Sequence, residues 1–192
     1  MFEFDKKYFS KHNIVAGIDE AGRGPLAGPV VAAAVIFNKN TYIEGVNDSK
    51  KISKKKRESF YDQIISEAVH VGIGIVHSKE IDELNILNAT KKAMKLSILD
   101  LGITPDLLLI DGNQIDFSEY NQESIVKGDS KSFSIASASI IAKVTRDRIM
   151  KDYAKILPEY GFENHKGYGT KKHFEAIIKH KSSIIHRKSF NP

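Results

Sequence analysis

Asp19 and Glu20 stand side by side at the end of a short apolar segment and lead directly into the turn Gly22-Arg23-Gly24. Two carboxylates a few ångströms apart raise one another's pKa unless a cation neutralises them. Arg23 is one candidate for that cation, and a divalent metal ion is the other. The glycines beside Arg23 permit positive φ and close approach of a ligand, with N–H groups that suit phosphate or sugar oxygens. This stretch therefore predicts a metal site beside a clamp for phosphate or nucleic acid.

Two other interpretations of the same residues stay open at this point. The turn could be an ordinary hairpin turn in which Arg23 makes a surface ion pair. The spacing Gly22-x-Gly24-x-x-Ala27 also matches the fingerprint of a dinucleotide-binding loop. That fingerprint requires the glycines to open a helix at a pyrophosphate, whereas here Pro25 and a β-branched run follow, and the two carboxylates would repel the phosphates. The metal site is the favoured interpretation.

Two further acids follow short apolar runs. Residues 107–110 form a continuous apolar run, typical of a central strand buried on both faces, and Asp111 ends it. Residues 124–129 repeat the arrangement, with a predicted strand that ends in Gly128 and Asp129. Each acid alone is also explained as a turn former or a helix cap. Because ligands gather at strand ends in open α/β sheets, three strands that deliver acids there favour one common site.

The composition fits one compact globular domain that binds a polyanion. The 192 residues are 41% hydrophobic, which suffices for a sizeable core, and the lack of cysteine excludes disulfides and thiolate metal sites. Six of the eight residues 50–57 are Lys or Arg, and from residue 165 onward there are seven Lys or Arg and one acid, Glu175. Basic clusters of this kind suit nucleic acid, although each one alone is also explained as a solvated face.

No targeting or membrane pattern is recognised in the sequence. The first seven residues lack the basic-then-apolar order of a signal peptide. No apolar run approaches the roughly 18 residues of a membrane-spanning helix. We therefore expect a cytoplasmic protein that does not contact a membrane, with a monomer as the plain expectation.

Hydrophobic periodicity predicts the elements that position these residues. Residues 15–19 and 30–37 indicate two strands joined by the glycine turn. The alternation from residue 69 to 75 indicates a strand with one buried face, made of Val69, Val71, Ile73 and Ile75. Small residues at 136–142 would let a long helix lie close against the sheet. Helices are predicted at 53–70, 78–101 and 133–157 and after Thr170, the last with an apolar stripe of Phe174, Ile177 and Ile178.

Seven motifs follow one another along the chain. They are Ile18-Asp19-Glu20-Ala21-Gly22-Arg23-Gly24-Pro25, Asn47-Asp48-Ser49-Lys50-Lys51, Leu109-Ile110-Asp111-Gly112-Asn113, Lys127-Gly128-Asp129-Ser130, Ala142-Lys143-Val144-Thr145-Arg146-Asp147, His165-Lys166-Gly167-Tyr168-Gly169-Thr170 and His186-Arg187-x-Ser189-Phe190. In order and spacing, from about residue 13 to 190, they resemble the signature blocks of ribonuclease HII, the type 2 ribonuclease H. One block alone is a weak signal, but seven in order make a strong one.

The resemblance implies an α/β protein with an RNase H-like fold, a mixed central β-sheet flanked by helices, and a helical C-terminal extension. It implies a single domain over residues 1–192, with a catalytic core at about 13–157 and an extension at about 158–192 that contacts the substrate. The implied activity is that of an endonuclease that cuts the RNA strand of RNA–DNA hybrids. It would also incise duplex DNA on the 5′ side of an embedded ribonucleotide, leaving 3′-hydroxyl and 5′-phosphate ends.

The resemblance also assigns roles to individual residues. The four catalytic, metal-binding acids of the family fall on Asp19, Glu20, Asp111 and Asp129. Its ribonucleotide-recognition turn falls on Gly22, Arg23 and Gly24, and its sugar-stacking tyrosine on Tyr168. A core position is the alternative for Tyr168, but the glycines on both sides favour an exposed loop. Phosphate contacts are expected from Lys50, Lys51, Lys143, Lys166 and the tail around Arg187, whereas Asp147 is expected in an ion pair with its arginine neighbours.

The residue types agree with metal-dependent phosphodiester hydrolysis. Two metal ions about 3.5–4 Å apart can generate hydroxide and hold the leaving 3′ oxygen. All-carboxylate sites favour hard cations, so Mg²⁺ is the expected metal and Mn²⁺ its substitute. Four acids without a nearby histidine argue against zinc. Selectivity for RNA must come from recognition of a 2′-hydroxyl, because that group distinguishes a ribose within DNA.

Two alternatives to ribonuclease HII are kept. Ribonuclease HIII shares the four acids, but it usually carries a lysine in the glycine turn and an additional N-terminal DNA-binding domain. A catalytically idle nucleic-acid-binding module on the same fold is the second, and the four intact acids argue against it. Docking to a sliding clamp is possible in principle, although residues 181–192 show no clear clamp-binding pattern.

Overall fold

A computed structural model describes residues 1–50, 52–113 and 115–190 of the chain. Its central sheet has five strands: β1 (Val15–Ala21), β2 (Val30–Ile36), β3 (His70–Val76), β4 (Leu107–Asp111) and β5 (Gln122–Ile125). Their order across the sheet is β3-β2-β1-β4-β5. β2 runs antiparallel to both β1 and β3, whereas β4 runs parallel to β1 and β5. The predicted mixed sheet is confirmed.

The helices of the described residues cover this sheet. They are α1 (Phe2–Phe9), α2 (Lys54–Glu67), α3 (Ser78–Leu84), α4 (Ile86–Asp100), α5 (Phe133–Ile156), α6 (Phe162–His165) and α7 (Lys171–His180). No helix among them is both long and apolar enough to span a bilayer. The parallel β1–β4 pair at the centre places the carboxyl ends of two strands side by side, at one edge of the sheet.

The long helix α5 lies in backbone contact with β1. A Cβ atom on Gly17 would lie 2.2 Å from the carbonyl carbon of Ser134, so only glycine fits there. Residues 133–142 of α5 are all buried, as their small side chains predict. Because side chains alternate along a strand, Gly17 and Asp19 share the face of β1 that meets α5. The helix is thereby fixed against the strand that carries the first acid.

The buried face of β3 differs from the prediction. Gly72 and Gly74 lie on its more buried face, and Cβ atoms there would be 2.0 and 1.9 Å from carbonyl oxygens of α4. Val69 lies just before the strand and is 45% exposed. The alternation was detected correctly, but the glycines pack more tightly than the valines and isoleucines because α4 approaches their backbone.

The helix predicted from residue 78 to 101 is two helices. The helical conformation is interrupted at Asn85, which has φ of 66°. The Asn85 side chain accepts a hydrogen bond from the Asn88 N–H at 3.1 Å and caps the second helix. The stripe expected on the last helix is also wrong in part. Ile178 is 77% exposed, whereas His173 and Ala176 are the buried residues of α7.

The helix α1 was not predicted and attaches the first residues to the rest of the fold. Asp5 is fully buried, and its Oδ2 accepts from the N–H and the hydroxyl of Ser134, each at 2.8 Å. Burial raises the pKa of Asp5. This contact joins α1 to the first turn of α5.

Candidate active site

Three acids converge at the carboxyl ends of the central strands. Asp19 comes from β1, Asp111 from the last position of β4, and Asp129 from a single 3₁₀ turn, Gly128–Ser130. Each offers a carboxylate oxygen, and these oxygens lie within 4.8 Å of one another. The sequence predicted this convergence, although Asp129 follows a strand that already ends at Ile125.

Backbone hydrogen bonds orient two members of this three-acid cluster, Asp19 and Asp111. The Gly128 N–H donates to Asp111 Oδ1 at 2.6 Å, and the Glu20 N–H donates to Asp19 Oδ1 at 2.7 Å. A Cβ on Gly128 would lie 2.6 Å from Ile135 Cδ1 of α5 and 3.2 Å from Asp111 Oδ1 of β4, so glycine lets the 3₁₀ turn approach both elements. The carboxylates are therefore oriented by the fold itself.

The cluster is electrostatically unfavourable without a cation. Burial, and then the charges of Glu20 and Asp111, raise the pKa of Asp19 well above its ordinary value. Burial also raises the pKa of Glu20, and the charge of Arg23 partly offsets that rise. Converging, buried carboxylate oxygens are the donor set that hard divalent cations prefer. The residues present therefore fit a Mg²⁺- or Mn²⁺-type site.

Glu20 lies outside the three-acid cluster in the described part of the chain. Adjacent strand residues point to opposite faces, so Glu20 diverges from Asp19. Arg23 Nη1 lies 3.5 Å from Glu20 Oε1. Lys50 makes the corresponding contact on the other side, with its Nζ 3.7 Å from Asp129 Oδ2. Glu20 and Asp129 thus each form an ion pair with a cationic side chain.

A cleft of about 220 Å³ opens beside the acids. The structure gathers most of the predicted substrate-binding residues around it, together with the acid Glu20: Gly22, Arg23, Gly24, Lys50, Lys143 and Tyr168. Tyr168 is 44% exposed, which confirms the expected loop position over a core one. A larger depression of about 580 Å³ lies at the opposite strand ends, around Lys11 and Asp106, away from the acids.

Two of the predicted cationic or acidic residues, Lys166 and Asp147, have partners other than those expected. Lys166 is buried and does not line the cleft, and its ammonium donates to the Glu163 carbonyl. Asp147 does form an ion pair, but with Lys143 at 2.7 Å rather than with its arginine neighbours. Lys51 lies outside the described residues.

Two buried arginines shape the loop between β1 and β2. Arg146 is 1% exposed and donates to the carbonyls of Ala27, Pro29 and Lys166. Burial lowers its pKa to about 10, so it stays cationic at pH 7. The sequence placed Arg146 beside Asp147 in an ion pair, and that assignment is wrong. Its donors instead satisfy carbonyl groups of an irregular, buried loop.

Arg187 does the same at both ends of that loop. It is 2% exposed and donates to the carbonyls of Gly22 at 2.6 Å, Arg23 at 2.8 Å and Gly28 at 3.0 Å. The sequence assigned the tail around Arg187 to phosphate contacts, but its guanidinium is used internally. The signal that could have revealed both arginines is the loop itself, whose glycines and prolines leave many carbonyls without a sheet or helix partner.

The comparisons with known proteins agree with this geometry. The family model described as Ribonuclease HII matches residues 16–192. The chain belongs to the ribonuclease HII family. It is 59% identical over 187 residues to the ribonuclease HII of Clostridioides difficile (strain 630), covering 97% of this chain and 72% of that protein. As a member of this family it is a type 2 ribonuclease H, a hydrolase of the RNA strand in RNA–DNA hybrids.

Solved structures show the same fold. The ribonuclease H2 of Pyrococcus horikoshii OT3 superposes with a TM-score of 0.78 at 27% identity, covering 93% of this chain and 94% of that one. The ribonuclease HII in a PCNA complex from Archaeoglobus fulgidus gives a TM-score of 0.77 at 25% identity, covering 93% and 96%. Bst-RNase HIII, solved with Mn²⁺, is similar in fold alone, with a TM-score of 0.69, 17% identity and coverage of 92% and 67%. The family match therefore favours ribonuclease HII over the HIII alternative.

Proposed function

We propose that this ribonuclease HII incises duplex DNA on the 5′ side of a single embedded ribonucleotide, in addition to cutting RNA–DNA hybrids, and leaves 3′-hydroxyl and 5′-phosphate ends. One observation carries the proposal: the three-acid cluster adjoins a cleft lined by Gly22, Arg23, Gly24 and Tyr168. A site that contacts the sugar next to the acids can identify one ribose among deoxyriboses through its 2′-hydroxyl.

Asp19, Asp111 and Asp129 would hold the metal, with Glu20 completing the set of four catalytic acids. Two Mg²⁺ or Mn²⁺ ions would supply an activated water and stabilise charge on the leaving oxygen. The all-oxygen donor set and the raised pKa of Asp19 support a divalent cation here. The Mn²⁺ bound to Bst-RNase HIII, a protein of the same fold, agrees with this assignment.

The protein's own residues would orient the substrate. Arg23 can hold a phosphate through its planar guanidinium, and the glycines on either side leave the turn free of side-chain bulk. Tyr168 would lay its ring against the neighbouring sugar. Lys50 and Lys143 line the same cleft and would contact phosphates without reading sequence. Lys166 stays a prediction, because its ammonium would first have to leave the Glu163 carbonyl.

Two broader expectations are carried forward as proposals. The segment from about residue 158 onward would act as a substrate-contacting extension of one domain, since Tyr168 comes from it. A sliding clamp would be a protein partner, by analogy with the complex of the Archaeoglobus fulgidus enzyme. A cytoplasmic location and a monomeric state stay predictions.

The test is an end-mapped cleavage assay with Asp111→Asn. The substrates are a duplex with one ribonucleotide, an RNA–DNA hybrid and an all-DNA duplex, each with Mg²⁺, Mn²⁺ or chelator. The wild type should cut the first two with metal and leave the third intact, whereas Asp111→Asn should bind but not cut. Asp116→Asn removes a charge at an exposed position in the same connection and should behave as wild type.

Two results would contradict the proposal. Turnover by Asp111→Asn near the wild-type rate would remove the acid from the chemistry. Cleavage of the hybrid without incision at the single ribonucleotide would refute recognition of one ribose while leaving the hybrid-cutting activity in place.

A further inference from the structure

The residues 183–190, here called the strap, cross the back of the recognition turn at residues 22–24. The strap lies against the loop between β1 and β2 through backbone hydrogen bonds, from the Arg187 N–H to the Leu26 carbonyl at 2.9 Å and from the Gly28 N–H to the Ile185 carbonyl at 2.8 Å. Arg187 then donates to the carbonyls of Gly22 and Arg23. Arg187 does not line the cleft, so the strap contacts the turn from outside it.

The contacts of Arg187 set the direction of the N–H groups in the turn. Every peptide bond in the described part of the chain is trans. In a trans peptide unit the C=O and the following N–H point in opposite directions. Because the carbonyls of Gly22 and Arg23 point at Arg187, the N–H groups of Arg23 and Gly24 point away from it. Arg187 therefore orients the N–H donors of the turn, which by their chemistry suit a sugar or phosphate oxygen.

The strap also fixes the backbone of Tyr168, through a chain of two histidines. The Ser183 N–H donates to His186 Nδ1 at 2.8 Å, so a neutral His186 carries its proton on Nε2. That proton is donated to His173 Nε2 at 3.0 Å, and His173 Nδ1 donates to the Tyr168 carbonyl at 2.9 Å. Both sides of the cleft are consequently held by adjacent residues of one segment.

Asp82 of α3 fastens the strap to the body of the protein. Its Oδ2 accepts from the Lys188 N–H at 2.9 Å, and its Oδ1 accepts from the Ser189 N–H at 2.8 Å and hydroxyl at 2.6 Å. Burial acts in the opposite sense, but these hydrogen bonds lower the pKa of Asp82, which is therefore a carboxylate at neutral pH. Asp82 does not line the cleft, so any effect on recognition passes through the strap.

We propose that Asp82 is a positioning residue for ribonucleotide recognition: it anchors the strap, which sets the recognition turn and the Tyr168 loop relative to each other. This inference rests on the proposed role of residues 22–24 and Tyr168 at a single ribonucleotide. A hybrid offers a ribose at every position, whereas a single ribonucleotide offers only one. Loss of the anchor should therefore impair incision at a single ribonucleotide more than cleavage of the hybrid.

The test measures kcat/KM on the single-ribonucleotide duplex and on the hybrid, and divides the first value by the second. A change in the folded fraction alters both values equally, so the ratio does not respond to stability. Asp82→Ala should lower the ratio about tenfold, a modest share of the loss known for a misplaced reacting group. Asp82→Asn retains one acceptor and Ser189→Ala removes one donor, so both should lie between Asp82→Ala and wild type. Glu83→Ala removes a neighbouring exposed charge and should leave the ratio unchanged.

The outcomes separate this inference from the proposed function. If the wild type fails on the single ribonucleotide, the proposed function is refuted. If the wild type incises it and Asp82→Ala gives the same ratio as Glu83→Ala, only the positioning role is refuted. If Asp82→Ala does not fold, an unchanged ratio for Ser189→Ala and Asp82→Asn refutes the role equally well.

Discussion

The chain of hydrogen bonds through His186 and His173 should make the fold sensitive to mild acid. It requires both rings to be neutral, because each accepts one hydrogen bond and donates another. A proton on His186 Nδ1 would meet the Ser183 N–H, and the Ser183 hydroxyl 2.7 Å away would have to turn from donor to acceptor. A proton on His173 Nε2 would meet the His186 N–H. His165 stacks on His173 with ring centroids 4.4 Å apart, and its charge would add repulsion. Replacing His186 with Asn should remove the share of this sensitivity that comes from His186, while the buried His173 keeps its own.

The magnitude follows from the pKa of His186. Burial, and then the neighbouring His173, lower that pKa from 6.5 to about 4. Between these values the unfolded chain binds a proton that the folded protein excludes. The stabilisation is therefore complete above the unfolded pKa and is lost as the pH falls toward the folded one. Linkage gives a loss of about 2 kcal/mol between pH 7 and pH 5, or about 4–8 °C in Tm for a chain of this size.

The assay is thermal unfolding by circular dichroism at pH 7 and pH 5, for wild type, His186→Asn and His12→Asn as a histidine control outside the strap. The carboxylates titrate in all three proteins, so the difference between them isolates the histidine chain. The wild type and His12→Asn should lose about 4–8 °C more than His186→Asn over this range. Equal losses in wild type and His186→Asn would refute the reasoning.

Three further outcomes are expected. Asp19→Asn should raise Tm in the presence of chelator, because it removes a charge from a repulsive cluster. The same variant should gain less Tm than the wild type when Mn²⁺ is added, and an equal gain would contradict the metal site. Gly74→Ala should cost about 3 kcal/mol in urea unfolding, since its Cβ would lie 1.9 Å from the Ala93 carbonyl oxygen, and near-native stability would refute that contact. Gly22→Ala should destabilise the protein far more than Gly24→Ala. Gly22 has φ of 97°, and its new Cβ would lie 2.1 Å from the buried Arg146 guanidinium, whereas a Cβ on Gly24 meets nothing closer than 3.9 Å. Equal unfolding midpoints for the two variants would disprove this.

The sequence predicted the central strands and the acids because those signals are local and redundant. The run before Asp111 is apolar at every position, and such a run is buried on both faces in a parallel pair. Helix α5 was predicted almost to the residue, because its small side chains and the following Pro158 act within a few positions. Acids at the ends of adjacent strands then converge by topology alone.

The features that were missed depend on partners distant in sequence. Periodicity could not tell that α4 would press on Gly72 and Gly74, because that requires knowledge of which helix covers β3. A left-handed Asn85 carries no apolar signal, so the pattern ran on through a real break between two helices. Arg146 and Arg187 resemble ordinary surface cations in the sequence, and only the folded loop shows that backbone carbonyls surround them.

Arg187 and the Arg23 carbonyl that it contacts are 164 residues apart in the sequence. This separation affects the order in which the parts of the protein form during synthesis and folding. A nascent chain leaves the ribosome with its N-terminus first, and contacts between residues distant in sequence form late. All four acids emerge well before the strap does. The acids are therefore encoded upstream of the strap, the segment that we propose to position the recognition turn. Proteolytic removal of the strap alone would take away the hydrogen bonds that Arg187 makes to Gly22 and Arg23, whereas the three clustered carboxylates come from other segments of the chain.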